Sequence, residues 1–354
     1  MNDSVLVLSP QVWSRDGGVQ RHSRSLLKAL AIVLPSARIK LLTLLDRSWP
    51  LPRLRLFVAA LAALRFRPRL VLCTHLHLAP LALVVARLGG ARLWVVCHGI
   101  EVWVPLTGLR RLALLQADLL LPVSRFTAEQ VRRRLAPADP SIAVLPNTYD
   151  AQRFQPGPAP AHLLARYGLQ AGQPVIFTLT RLSRGDRAKH IDRLIAAMPE
   201  LRRRFPGATL LIGGDGDDRP RLQALVHQLE LDQAVLLPGR LADEELPDHY
   251  RLARVFALPS EKEGFGIVFL EALGCGCAVL AGNRDGSRDP LADGRFGLLV
   301  NPDLPLADPL AQLLDQQGPH LWFQPQALSA AVADRFGFQA FCEQLSVLLR
   351  ADLH

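Results

Sequence analysis

Glu263 and Glu271 stand with seven residues between them in the stretch 259–285, PSEKEGFGIVFLEALGCGCAVLAGNRD. A glutamate set among Ile267, Val268, Phe269 and Leu270 is costly to bury unless something hydrogen-bonds it. The amides of Phe265 and Gly266, at a helix N-terminus, suit a phosphate. One carboxylate at the turn and one farther along could then hold two hydroxyl-rich ends of one ligand. The same spacing also fits an ordinary helix with one first-turn glutamate and one exposed glutamate, and physics alone leaves both readings open.

Two cations have comparable promise. Arg181 follows the strand-like run 174–180, and Lys189 comes just before the helical pattern 191–198. A guanidinium fork and a point charge at a strand-to-helix junction suit a diphosphate, although two surface cations in an arginine-rich chain would read the same way. His98 and Glu101 end the apolar run 93–97, where α/β sheets bind ligands at the carboxyl ends of their strands. His75 and His77 could ligate a metal, but no third ligand is near in sequence. Asp215-Gly216-Asp217 has the spacing of a metal-binding DxD, in a glycine turn where that pattern arises by chance.

The elements that must position these groups follow from periodicity. The apolar run 255–258 ends at Pro259, a turn with two glycines follows, 267–273 alternates as a buried helix, and 277–281 is apolar again. That is the strand–turn–helix–strand unit of a parallel sheet. Upstream, 4–9 reads as a first strand, Gly17-Gly18 as a turn and 19–30 as an amphipathic helix, with strands expected over 39–45, 69–74, 93–97, 117–123 and 142–145. QPGPAPA at 155–161 is the clearest linker. A second sheet begins at 174–180 and continues over 209–212, 234–237, 255–258, 277–281 and 296–300, before an amphipathic helix at 336–349.

Glu263 and Glu271 with Gly264, Phe265, Gly266 and the GCGCAVLAG run resemble the E-x7-E signature of glycosyltransferase family 4, the retaining GT-B enzymes. The resemblance spans nearly the whole chain, dense over 180–302 and thinner before Leu93. It implies an α/β fold of two facing Rossmann-like domains: 1–155 for the acceptor, 156–325 for a nucleotide sugar, and a C-terminal helix, 326–354, crossing back to the first. HGIEVW is similar to the family's HGxE loop, which implies that His98 contacts the donor sugar beside the reacting carbon and that Glu101 binds substrate. Gly17 and Gly18 match a Gly-Gly loop that faces the cleft, and Asn147 matches a Pro-Asn turn closing the first domain. TRLSRGDRAKHIDRLI resembles the R…KG…LI loop that places Arg181 and Lys189 on the leaving phosphates. His190 stands where that pattern has glycine, so a different turn is expected there. Gly239 and Arg240 match the turn that packs on the nucleobase, and the DGD matches a GDG turn without a metal role. By the same resemblance Glu271 binds ribose hydroxyls, Glu263 binds sugar hydroxyls, and the amides of Phe265, Gly266 and Ile267 meet phosphate.

The implied activity is transfer of a hexose from a nucleotide diphosphate sugar to a saccharide or lipid-linked saccharide in surface-polysaccharide biosynthesis, with no metal and no cofactor. With Glu271 committed to ribose, no second carboxylate is in view for double displacement. Front-face substitution, the departing phosphate taking the acceptor's proton, is the expected route to retention. GDP-mannose and UDP-hexoses share these contacts, and HGIEVW with the long phosphate loop leans towards mannose. The alternatives are a GT-B epimerase and a non-catalytic sugar-nucleotide-binding protein, which could dispense with Arg181, Lys189 and His98. A dehydrogenase is disfavoured, because no G-x-G-x-x-G follows the first strand.

Composition narrows the partners. The 354 residues, 49% hydrophobic and 21% charged, describe two globular domains rather than a disordered chain. A net charge of +9 points to an anionic partner. Three tyrosines, and no interleaving of aromatic with basic residues, argue against nucleic acid and for phospholipid or a phosphorylated substrate. Five cysteines without a CxxC pair read as reduced thiols, which favours the cytoplasm. No positive leader and no apolar run of 18 residues is present, so no membrane span is expected. The run 56–64, flanked by Arg53, Arg55, Arg65 and Arg67, reads as a core helix or one lying on a membrane. With Arg110, Arg111 and Arg132 to Arg134 it suggests peripheral contact with the inner face of the cell membrane.

Overall fold

The computed structural model describes residues 4–10, 12, 17–43 and 52–353. Met1, the last two residues of the strand expected over 39–45, and the side chains of Arg53 and Arg55 lie outside the described residues. The chain divides into two compact units, Met1–Thr148 with Phe338–His354, and Tyr149–Gly337.

The first unit is built on five parallel strands: β1 (Ser4–Ser9), β2 (Arg38–Thr43), β3 (Leu70–Cys73), β4 (Arg92–Cys97) and β5 (Leu119–Pro122). Their order is β2-β1-β3-β4-β5, with Val7 in register with Leu41 and Leu72. Every residue of β1, β3 and β5 is buried, as a parallel sheet covered on both faces requires. The chain goes from β1 to one side and returns through β3 to the other, so the strand order reverses between β1 and β3. The C-terminal helix Phe338–Leu353 packs on helix Gly18–Val33. Asp352 fastens it there by accepting a 2.6 Å hydrogen bond from the indole of buried Trp94 and pairing with Arg92. The stretch 142–145 forms one bridge, Ile142 with Leu120, rather than the expected strand.

The second unit holds six parallel strands: β6 (Val175–Leu179), β7 (Thr209–Gly213), β8 (Val235–Gly239), β9 (Val255–Leu258), β10 (Ala278–Gly282) and β11 (Leu298–Val300). The order β11-β10-β9-β6-β7-β8 reverses between β6 and β9. Beyond the carboxyl ends of strands at such a reversal, neighbouring loops diverge and leave a crevice.

The domain boundaries differ from those expected at 155 and 325. Tyr149 and Phe154 are buried in the second unit, Tyr149 against Gly274, where a Cβ would stand 2.4 Å from its ring, and Phe154 edge-on to Tyr250. Residues before the proline-rich linker therefore belong to the second core. The helix expected over 336–349 is two helices parted at Gly337. The first, Pro325–Phe336, stays with the second unit, packed on Ile267–Gly274 with Phe336 edge-on to Phe265. Only the last helix crosses back. All five cysteines are free thiols, and burial pushes Cys73 and Cys275 up to about 12.

Candidate functional site

The loops after β6 and β9 carry the densest set of chemically able side chains. After β9 the chain passes Pro259 and buried Ser260 into 261–266, and it enters helix Ile267–Gly274 through Gly266. Gly266 has φ +87°, and a Cβ there would stand 2.5 Å from the Phe269 ring, so this entry needs glycine. The loop is held from behind by the turn after β10. Buried Asp285 accepts hydrogen bonds from the amides of Glu263 at 2.6 Å and Ser287 at 2.9 Å, while the amide of Gly286 donates to the Glu263 carbonyl at 2.9 Å. A Cβ on Gly286 would stand 2.2 Å from the Gly264 oxygen. The Glu263 backbone is thereby pinned on both sides.

Its side chain reaches Lys189, at the end of the turn Arg184–Lys189 after β6. The two side chains are only 18% and 15% exposed. Burial pulls the Lys189 ammonium down, but the Glu263 charge and hydrogen bond outweigh it, and the net shift is upward. Lys189 stays charged at any ordinary pH. Arg181, by contrast, is 75% exposed and donates from Nε to Asp186 at 2.7 Å. A lysine, an arginine and a helix N-terminus at the sheet's reversal point suit a ligand with two adjacent negative charges.

His190 keeps the left-handed turn that glycine would supply, with φ +56° and ψ 38°, so the substitution does not change the loop's turn. Its ring nitrogen lies 3.0 Å from Glu261, whose other oxygen accepts from Arg284. That anchor offsets the steric cost of a side chain in this backbone region.

The glycine turn after β7 braces the same loop. A Cβ on Gly214 would stand 1.8 Å from the Thr180 oxygen, and one on Gly216 would stand 2.2 Å from the Leu182 oxygen. Asp217 accepts from the Arg184 amide, Asp218 pairs with Arg187 and Arg221, and Asp215 lies 3.5 Å from Arg219. Asp217 and Asp218 thus fasten this turn to the loop after β6, while Asp215 is paired with the start of its own helix.

Glu271 does not join Glu263. It lies a turn into the helix, 2% exposed, and accepts a 3.0 Å hydrogen bond from the hydroxyl of fully buried Tyr250. Gly239 ends β8 at φ +85°, where a Cβ would meet an Arg219 nitrogen at 2.9 Å, and Arg240 follows on the surface.

In the first unit, Gly17 caps helix Gly18–Val33 with an extended φ of −152°, and a Cβ on Gly18 would meet nothing within 4 Å. Backbone strain explains neither glycine. His98 follows β4, and Glu101 turns back to accept from the His98 amide at 2.5 Å and the Gly99 amide at 3.2 Å. Glu101 therefore shapes the HGIE turn, in which Gly99 has φ +150°. The His98 Nε2 lies 2.8 Å from the Thr74 carbonyl, which can only accept, so Nε2 carries the proton and Nδ1 keeps a lone pair. Burial lowers the His98 pKa, with the Glu101 charge and the Thr74 hydrogen bond pushing back. His75 and His77 stack at 4.7 Å with their Nδ1 atoms 3.0 Å apart. Burial above all takes His75 to about 4. Among the described residues no three His, Cys, Asp or Glu side chains stand close enough to hold a metal ion.

Sequence reading missed three residues. His22 is 2% exposed and edge-on to His98 at 5.2 Å. Burial, then the nearby His98, takes it to about 3, with the Asn147 side chain pushing the other way. The Asn147 side chain that faces His22 is itself buried. A histidine four residues past Gly18, on the helix face with Leu26, Ala29 and Leu30, was the available signal. Tyr250 and Asp285 gave weaker ones, an aromatic in a short helix and an acid in a glycine turn.

Asp285 makes a pH prediction. Burial raises its carboxyl from 3.8 to about 7, against the two amide hydrogen bonds that pull it down. The native state then keeps this proton up to about pH 7, whereas the unfolded chain releases it near its ordinary pKa. Native protein binds more protons between those values, so this group's contribution to stability falls as pH rises from about 4 to 7. In urea unfolding, the stability of wild type relative to Asp285→Asn is expected to decline from pH 5 to pH 8. A difference that does not change with pH would show that Asp285 is already ionised at pH 5.

The sequence profile described as glycosyl transferases group 1 matches residues 164–325, and that of Glycosyltransferase Family 4 matches residues 32–153. The chain is 41% identical over 242 residues to a GDP-mannose-dependent alpha-(1-6)-phosphatidylinositol monomannoside mannosyltransferase of Mycolicibacterium smegmatis, covering 63% of this chain and 61% of that protein. A protein of the same description from Mycobacterium tuberculosis is 37% identical over 253 residues, covering 67% and 64%. The match thus spans less than two thirds of these relatives' length. Among solved structures, HepE of Anabaena in complex with UDP and glucose shares the fold at TM-score 0.79 and 18% identity, covering 99% of this chain and 100% of that one. Sucrose-phosphate synthase of Thermosynechococcus elongatus does so at 0.78 and 22%, covering 99% of each.

Proposed function

Starting from a chain that belongs to glycosyltransferase family 4 and has the GT-B fold, we propose that it transfers mannose from GDP-mannose to a lipid-linked saccharide, with retention and without a divalent ion. The observation that carries this reading is the Lys189–Glu263 pair beside the glycine-entered helix, at the point where the second sheet reverses. Mannose, GDP and a lipid anchor are supported by what the mycobacterial relatives are described as using.

Breaking a sugar–diphosphate bond builds positive charge on the anomeric carbon and negative charge on the departing phosphate. The protein holds both candidate cations on carboxylates, Lys189 on Glu263 and Arg181 on Asp186. An entering diphosphate takes over those cations, and the amides of Phe265, Gly266 and Ile267 supplement them. Glu263, released from Lys189, accepts hydroxyls of the transferred sugar and fixes its orientation. Glu271 takes the ribose hydroxyls, and Gly239 and Arg240 border the base. On the acceptor unit, the open space at Gly18, next to Gly17, leaves room for a sugar, Asn147 offers its side-chain amide, and neutral His98 offers the Nδ1 lone pair to a hydroxyl. The leaving phosphate oxygen removes the acceptor's proton on the face it departs from. The acids of the DGD turn are engaged by arginines and amides, which supports cations of the protein, not a metal, as the counter-charge.

Incubation with a panel of nucleotide sugars in EDTA tests the reading. GDP release from GDP-mannose is expected, accelerated by a lipid-linked mannoside and yielding an α-linked product by NMR. Release abolished by EDTA, or seen only with UDP-sugars, would overturn the metal-independent or the mannose assignment respectively.

A further inference from the structure

Three helices of the first unit lie in one layer over its sheet. Ala79–Gly89 packs against Pro52–Ala62 on one side and Gly108–Leu115 on the other. Each sets its inner residues into the core: Leu56 and Ala60, then Ala82, Val85 and Ala86, then Ala113 and Leu114. Their outer sides are unlike those of ordinary water-facing helices, which are charged with both signs. Phe57, Val58, Val84, Leu88, Leu109 and Leu112 project there, six of the eleven large apolar side chains exposed among the described residues. Leu88 and Leu109 are 64% and 69% exposed.

The charges on these helices are one-sided. None of the three contains Asp or Glu, and their only charged residues are five arginines. Arg87 shares the outer face of its helix with Val84 and Leu88, and Arg110 adjoins Leu109. Helix Ile191–Arg204 of the other unit, in contrast, carries Asp192 and Glu200 among its arginines. The asymmetry extends to whole units. The first has 21 Lys and Arg against 9 Asp and Glu, net +12, and the second has 20 against 23, net −3.

We propose that this three-helix face seats the protein on an anionic lipid bilayer, its leucines, valines and Phe57 at the acyl boundary and Arg87 and Arg110 at the lipid phosphates. Apolar side chains beside unbalanced arginines match an interface with hydrocarbon below and phosphate above. A second copy of the chain would bring arginine against arginine with no acid between them, so self-association fits the face poorly. No helix among the described residues is long and apolar enough to cross a membrane, so the face lies on the bilayer. The proposal rests on the lipid-linked acceptor of the function proposed above and names the surface at which that acceptor is met. Exposed Ile100 and Val104 continue the apolar character into the segment just after His98.

The test is sedimentation of the full chain with vesicles of phosphatidylcholine alone or mixed equally with phosphatidylglycerol. Wild type is expected to bind the mixed vesicles and not the neutral ones. Leu88→Glu with Leu109→Glu, and separately Arg87→Gln with Arg110→Gln, should each require about tenfold more lipid. These side chains are exposed, and unchanged circular dichroism and GDP binding would show the fold intact. Variants that bind as wild type does, wild type indifferent to phosphatidylglycerol, or a dimer dissolved by the leucine changes would overturn the proposal. Mannose transfer to a water-soluble saccharide separates the two readings. Transfer without vesicle binding sinks the face alone, and vesicle binding without turnover of any nucleotide sugar sinks the function alone.

Discussion

Lys189→Ala is expected to lower kcat by about 10² to 10³, the usual consequence of removing one preorganised group that stabilises transition-state charge. The ammonium is mostly enclosed, and Glu263 holds it charged against the cost of burial. A cation kept in that state has already met its desolvation cost before the leaving group develops charge. Arg181, largely in solvent, has a screened charge and should matter less. The predicted order of kcat loss is therefore Lys189→Ala, then Arg181→Ala. The change also strands Glu263 in a mostly enclosed site, so a stability loss on the order of 2 kcal/mol accompanies it, below the 3–5 kcal/mol of a fully buried pair. Lys189→Ala with Glu263→Ala should restore stability but not turnover. Wild-type kcat in Lys189→Ala, measured with saturating GDP-mannose, would defeat the assignment.

Local order made much of this site legible. Apolar runs at 255–258 and 277–281 with helical alternation between them became Val255–Leu258, Ala278–Gly282 and the helix Ile267–Gly274. Strands buried on both faces and glycines at forced turns leave their mark in neighbouring residues. What resisted reading depends on contacts distant in sequence. The first boundary moved to 148/149 because Tyr149 fills space beside Gly274 and Phe154 beside Tyr250, 125 and 96 residues away respectively. His190 holds a glycine-like turn because Glu261, 71 residues on, anchors its ring. The Asp285 carboxylate fixes the backbone of Glu263 across 22 residues, and nothing in the string DGS says so. The arginine flanks of 56–64 drew attention to one helix, whereas the unusual surface spans three and needs the sheet order to be seen.

Glu271→Gln should raise KM for GDP-mannose by about 10- to 100-fold while changing kcat far less, since charged hydrogen bonds to a bound nucleotide are worth about 1.5–3 kcal/mol and act equally in ground and transition states. The placement of this carboxylate argues for such a role. It sits in helix Ile267–Gly274, whose other residues from Ile267 to Gly274 are apolar apart from the glycine, and only 2% of it is exposed. Within a purely structural helix, leucine at this position would be neutral or stabilising, because a buried charge returns little for its desolvation. Glu271→Leu combined with Tyr250→Phe, which leaves no buried hydroxyl without its acceptor, should thus leave or raise thermal stability and still abolish tight GDP binding. Tyr250→Phe separates holding from binding. It removes the hydroxyl that donates to Glu271 but leaves the carboxylate, so it should cost about 1 kcal/mol of stability and raise KM only severalfold. If Glu271→Gln and Glu271→Leu both bind GDP within twofold of wild type, the role of the glutamate is structural. The nucleotide must then be gripped by the loop after β6 and the amides at Gly266.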